Sequence, residues 1–64
     1  MPIITVECVA MSRETKEKFI QEITAKASEI TNIRSEAFTI IFHENGSDNF
    51  GVGGKILSEI MNQK

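Results

Sequence analysis

Residues 13–31 read RETKEKFIQEITAKASEIT, and this stretch decides the fold because it carries the clearest helical pattern in the chain. Its apolar side chains recur at spacings of three and four, at Phe19, Ile20, Ile23, Ala27 and Ile30. That period predicts one long helix with a buried apolar side. The opposite side is polar and is expected to face solvent, with Lys16, Lys18, Gln21, Glu22, Lys26 and Glu29.

The ends of this helix are marked in the sequence. Ser12 stands at the N-cap position, and Glu14 and Glu17 follow in the first turns, where negative charge suits the helix dipole. Asn32 is placed to end the helix, and residues 32–37 form a connector. The boundaries therefore predict a helix from about residue 13 to about residue 31.

Strand-like segments lie on both sides of the helix. Residues 3–9 (IITVECV) are rich in β-branched side chains, and residues 38–44 (FTIIFHE) favour a pleated surface over a helix. A strand, a long helix and a second strand predict a βαβ unit with parallel strands and a right-handed crossover. Beyond it, ENGSDN (44–49) is typical of a turn, FGVGG (50–54) of a short hairpin, and residues 55–62 of one or two helical turns.

The predicted fold class is α+β, one domain over residues 1–64, with the βαβ unit followed by the C-terminal hairpin. One helix covers only one face of a two-stranded sheet, yet both faces carry apolar side chains and both edges are open. The uncovered face and edges predict an obligate oligomer, in which neighbouring chains complete the sheets.

Composition excludes several classes of function. The net charge is −2 and the basic residues are scattered, so nucleic acid is not an expected partner. No apolar run reaches the roughly 18 residues that span a bilayer, which argues against a membrane protein. The single cysteine, Cys8, fits a reducing compartment and the role of a small buried apolar residue, and we expect a cytoplasmic location.

Three further motifs carry little chemistry. GVGGK (51–55) is not a phosphate loop, because Asn49 and Ile56 stand where that motif needs glycine and a hydroxyl residue. His43 lacks companion ligands for a metal. Glu7 and Glu44 are candidates for an acid/base pair across neighbouring strands, but solvated strand charges are the simpler interpretation.

Pro2 has two interpretations. Proline donates no amide hydrogen, so it is tolerated at the first residue of a strand, and Pro2 can be a strand starter only. Alternatively, removal of Met1 leaves Pro2 with a free secondary amine. A terminal amine titrates near about pH 8, and an apolar pocket lowers that pKa by penalising the cation. Such an amine is a general base at neutral pH.

Taken together, these residues resemble the 4-oxalocrotonate tautomerase family. The resemblance covers the whole chain: Met-Pro-Ile before a β-branched strand, one long helix, a strand ending His43-Glu44-Asn45, and FGVGG at residues 50–54. It implies a homohexamer built as a trimer of βαβ dimers. It also implies a cofactor-free keto-enol isomerisation of small unsaturated oxo- or hydroxy-acids such as 2-hydroxymuconate, with Pro2 as the base.

The resemblance assigns further site residues. Phe50 matches the aromatic residue that makes the family's pocket apolar, although it can equally be a packing residue of the oligomer. The family binds its substrate with two arginines, and here Met11 and Thr39 occupy those positions. Arg13, two residues after Met11, and Arg34, in the connector, are the candidates to replace them.

Two alternatives stay open, and the missing arginines favour keeping the first. One keeps Pro2 as the reactive group in another reaction, the hydration or dehalogenation of an unsaturated acid. The other is a non-catalytic oligomeric binding module in which Pro2 only starts a strand.

Overall fold

A computed structural model describes residues 1–62. Its elements, in chain order, are β1 (Ile3–Cys8), α1 (Arg13–Thr31), β2 (Thr39–Glu44), β3 (Gly51–Val52), β4 (Lys55–Ile56) and α2 (Leu57–Asn62). Two single turns of 3-10 helix, Ser35–Ala37 and Ser47–Asn49, precede β2 and β3. The predicted α+β class is confirmed.

Helix α1 has the predicted bounds, and both ends are capped as the sequence indicates. The Ser12 hydroxyl accepts a hydrogen bond from the Thr15 amide at 3.1 Å. Asn32 adopts the left-handed conformation (φ 62°), and its amide donates to the Ser28 carbonyl at 2.9 Å. Asparagine tolerates this conformation better than most residues, so it ends the helix without glycine.

Strands β1 and β2 pair in parallel, with Ile3 opposite Thr39 and Cys8 opposite Glu44. One side of the sheet faces α1, as shown by the edge-to-face contact of Phe19 with Phe42, whose ring centres are 5.6 Å apart. Alternation then places Ile4, Val6, Cys8, Ile40 and Phe42 on this helix side. The other side of the sheet, the outer side, carries Ile3, Thr5, Glu7, Thr39, Ile41 and His43.

The last helix begins later than the sequence predicts. Lys55 and Ile56 form β4, the return strand of the hairpin, rather than the start of the last helix. The two-residue turn at Gly53 and Gly54 needs positive φ at both positions (60° and 84°), which glycine supplies without strain. Helix α2 follows directly. The Ser58 hydroxyl donates to Asp48 and so connects α2 to the 3-10 turn Ser47–Asn49.

Residues 1–61 enclose no core of their own. None of residues 1–61 is fully buried, and side chains as apolar as Ile3 remain 59% exposed. The radius of gyration is 15.1 Å, against about 11 Å for a compact domain of this length. The accessible surface is 5121 Å², against about 4100 Å² for a monomer of this mass. The isolated chain therefore leaves a large apolar surface uncovered.

No helix within residues 1–62 combines the length and the apolar character that crossing a bilayer requires.

Candidate functional site

The structure brings two of the predicted site residues together at the edge where both parallel strands begin, here called the N-terminal edge. Pro2 lies directly before β1 and is half-buried. Its carbonyl accepts a hydrogen bond from the Thr39 amide at 3.1 Å, which sets the first residue of β2 beside it. The proline ring therefore occupies the one position of the strand where its missing N–H costs nothing.

Arg34 belongs to the same edge of the sheet, because it lies just before the turn that leads into β2. Its side chain is 82% exposed, and its closest acidic partner is Glu36, with 3.9 Å between Nε and Oε1. An exposed arginine at that distance is held only weakly. Its guanidinium is accordingly free to bind another anion.

The other two predicted residues lie at the edge where the strands end, the C-terminal edge. Arg13 is the first residue of α1, and its side chain is 90% exposed beside Glu17. Phe50 follows β2 and is half-buried. Six-residue strands at about 3.3 Å per residue separate the two edges by about 20 Å. A single chain therefore does not place Phe50 or Arg13 against Pro2.

A cluster centred on Glu44 occupies the C-terminal edge and was not predicted from the sequence. The Glu44 Oε2 atom accepts hydrogen bonds from the Met11 amide at 3.0 Å and from Lys16 Nζ at 2.8 Å. The Lys16 bond, followed by the Met11 bond, lowers the pKa of Glu44 below its ordinary value. The expectation that Lys16 lies on the solvated side of α1 is wrong, because its side chain turns toward the end of β2.

A second polar cluster lies on the outer side of the sheet. His43 Nδ1 donates to Glu7 Oε2 at 2.7 Å, and the Asn45 amide group donates to Glu7 Oε1 at 3.3 Å. The bond from His43 is the main cause that lowers the pKa of Glu7. The acid/base pair of Glu7 with Glu44 does not form, because the two carboxylates project from opposite sides of the sheet.

The described part of the chain contains no cluster of side chains that forms a metal-binding site. No group of three or more His, Cys, Asp or Glu side chains within residues 1–62 is arranged to hold a metal ion. The reactive candidate that the sequence predicts is the nitrogen of Pro2. Once free, this amine can accept and return a proton without a cofactor.

The fold and this edge define a small βαβ protein whose first strand is directly preceded by a proline. The family model described as "Tautomerase enzyme" matches residues 2–60. The chain belongs to this tautomerase family. The match starts at Pro2 and includes the C-terminal hairpin, so the resemblance noted from the sequence is confirmed at the level of the family.

Solved structures agree with the assignment. DmpI from Archaeoglobus fulgidus is 33% identical, with a TM-score of 0.83 over 89% of this chain and 98% of that one. TomN, a 4-oxalocrotonate tautomerase homologue in the tomaymycin biosynthetic pathway, is 26% identical, with a TM-score of 0.88 over 94% of each chain. A 4-oxalocrotonate tautomerase isozyme from Methylibium petroleiphilum, at 23% identity and a TM-score of 0.88 over 94% and 95% of the chains, shares the fold. The comparison with curated proteins gave no match.

Proposed function

We propose that this protein is a cofactor-independent tautomerase that moves a proton within small unsaturated hydroxy- or oxo-acids, with Pro2 as the general base after Met1 is removed. The observation that carries the proposal is the place of Pro2, half-buried beside Thr39 at the start of β1. In the reaction, the Pro2 nitrogen takes the proton of a dienol hydroxyl. The electrons shift along the conjugated chain, and the nitrogen returns the proton to carbon.

The amine must be uncharged at working pH to act in this way. A free terminal amine titrates near about pH 8, and each apolar neighbour that excludes water lowers its pKa further. Within one chain Pro2 is only half-buried. A second copy that covers the N-terminal edge would supply the missing apolar surroundings.

We propose that the active form is a homo-oligomer, a hexamer built as a trimer of dimers, in the cytoplasm. The exposed apolar side chains, the long radius of gyration and the absence of a buried residue among residues 1–61 support association. Because the two edges are far apart in one chain, association is needed to complete the proposed site. Phe50 can reach Pro2 only when it comes from another copy.

The substrate class follows from the charges near Pro2. Thr39 offers one neutral hydrogen bond where a charge-assisted bond is roughly twice as strong. Arg34 of the same edge, or Arg13 of another copy, is the cation that would bind a carboxylate, since both side chains are exposed and weakly paired. We expect weaker turnover of the dicarboxylate 2-hydroxymuconate than of a monocarboxylate such as phenylenolpyruvate.

The test starts from protein whose intact mass shows that Met1 is absent. Ketonisation of 2-hydroxymuconate and of phenylenolpyruvate is followed by absorbance, for the wild type and for Pro2→Ala. Turnover that Pro2→Ala loses supports the proposal. Equal rates for both proteins would favour the non-catalytic binding module. Turnover of a halogenated unsaturated acid in place of ketonisation would instead favour the second proline-dependent reaction.

A further inference from the structure

The ion pair of Glu44 with Lys16 differs from every other ion pair within residues 1–62. Its two side chains are 33% and 29% exposed. In each of the other pairs both side chains are more than half exposed. Exposed pairs contribute little, because water screens them and two long side chains must be held still. The Glu44 pair is the one that the fold shelters.

The Glu44 carboxylate connects three parts of the chain. It stands at the last residue of β2, binds the ammonium of Lys16 in the second turn of α1, and accepts the amide of Met11 in the loop of residues 9–12. Beside it, the backbone N–H of Asn45 donates to the Cys8 carbonyl at 2.8 Å. This bond connects the segment that follows β2 to the end of β1. That segment leads to Phe50.

A groove opens next to this cluster at the C-terminal edge. Its volume is about 400 Å³, and its lining residues are Val9, Ala10, Glu44, Asn45, Gly46, Ser47 and Met61. An unpaired carboxylate in such a wall would repel an acidic ligand, and the repulsion is strongest where water is excluded. Lys16 neutralises the charge of Glu44. The groove is therefore compatible with a carboxylic acid.

We propose that Glu44 is a positioning residue for the tautomerase reaction, an inference that rests on the proposed function. Its carboxylate fixes the loop of residues 9–12 and the segment that leads to Phe50. The C-terminal edge of one copy then keeps the shape that closes over Pro2 of another copy. Lys16 supports this role by keeping Glu44 in place and by cancelling its charge.

The test separates the backbone contact of Glu44 from its ion pair. Glu44→Ala removes both contacts, and Glu44→Gln keeps an oxygen that can accept from Met11. The exchanged pair, Glu44→Lys with Lys16→Glu, restores an ion pair but leaves the Met11 amide without its acceptor. Glu29→Ala, which breaks the exposed pair of Lys26 with Glu29, is the matched control.

We expect Glu44→Ala to raise KM about tenfold. The loop of residues 9–12 and the segment that leads to Phe50 would shift slightly, which weakens substrate binding and misorients the substrate. The exchanged pair should recover the melting temperature of the wild type but keep the raised KM. Glu44→Gln should retain a KM close to the wild type, and Lys16→Met should raise KM for acidic substrates by leaving the charge of Glu44 uncompensated. Hydrogen exchange at the Met11 amide should accelerate in Glu44→Ala and in the exchanged pair only.

The outcomes distinguish this inference from the proposed function. If wild type turns over substrate, Pro2→Ala does not, and the exchanged pair recovers KM together with the melting temperature, Glu44 acts only through stability and the positioning role is wrong. If wild type and Pro2→Ala are equally inactive toward every acid tested, the proposed function fails and the positioning role fails with it. The control Glu29→Ala should match the wild type in both measurements.

Discussion

The two edges of the β1–β2 sheet differ in the hydrogen bonds and ion pairs that stabilise them. At the N-terminal edge, Pro2 and Thr39 meet through one backbone hydrogen bond, and the nearby Arg34 is exposed. At the C-terminal edge, Glu44 joins a strand, a loop and a helix, and the bond between Glu7 and His43 lies one residue earlier in the strands. The N-terminal edge carries the proposed base, the nitrogen of Pro2, with few contacts that hold it, whereas the C-terminal edge has more such contacts and lacks that nitrogen. The proposed site needs both edges, and two copies of the chain would have to assemble it.

The largest effect is expected at the N-terminal edge. Pro2→Ala replaces the secondary amine by a more flexible primary amine, and loss of a general base costs about 10² to 10⁴-fold in rate. Steady-state kinetics on protein of verified mass measure this loss, and circular dichroism checks that the fold is kept. A residual rate within a factor of about two would remove Pro2 from the mechanism.

A mixing experiment tests whether the edges of different copies combine. Pro2→Ala and Phe50→Ala are each expected to be poorly active alone. Refolded together in equal amounts, about a quarter of the sites in a randomly mixed oligomer should pair an intact Pro2 with an intact Phe50. Activity should therefore return on mixing, whereas a site contained within one chain would show no recovery. A mixture of each variant with itself is the control.

A positive charge added at the N-terminal edge should change kcat/KM for a dicarboxylate more than kcat/KM for a monocarboxylate. Thr39→Arg places a cation beside Pro2, where it can hold a carboxylate by two charge-assisted bonds. We expect kcat/KM for the dicarboxylate 2-hydroxymuconate to rise about tenfold, with a smaller change for the monocarboxylate. Thr39→Lys, a point charge without the planar fork, is the matched control and should give a smaller rise.

The smallest effect concerns acid stability at the C-terminal edge. The folded pKa of Glu7 and that of Glu44 are lowered below 4.5, so each carboxylate stabilises the fold above that pH. The contribution is lost as pH falls through the lowered pKa. Thermal melting should show Glu7→Gln and Glu44→Gln below the wild type at about pH 6, and the difference should shrink toward about pH 3. A difference that stays constant over this range would contradict the lowered pKa values.

The helix and the strands were predictable because local chemistry marks their ends. Ser12 caps α1 and Asn32 ends it in a conformation that few other residues adopt. The return strand at Lys55 and Ile56 was missed because a two-residue strand has no period to recognise. The signal was the pair Gly53-Gly54, which fits a two-residue hairpin turn and so requires a strand on each side.

The candidate site was less predictable than the fold. Lys16 was assigned to the polar side of α1, although it lies three residues before Phe19 and seven before Ile23, on the apolar side. Its stem can pack against the sheet while its ammonium reaches Glu44, a behaviour common to long charged side chains. The separation of Pro2 from Phe50 follows from parallel strands, but the way in which the proposed oligomer would combine the two edges depends on contacts between chains.

The absence of a buried residue among residues 1–61 has a consequence for abundance. If the proposed oligomer forms, a chain with no fully buried side chain among these residues gains resistance to proteases from the neighbouring copies, and that gain rises with the concentration of the protein. We expect scarce copies to be degraded faster than plentiful ones. The cellular level of the protein should then respond more than proportionally to the rate of its synthesis.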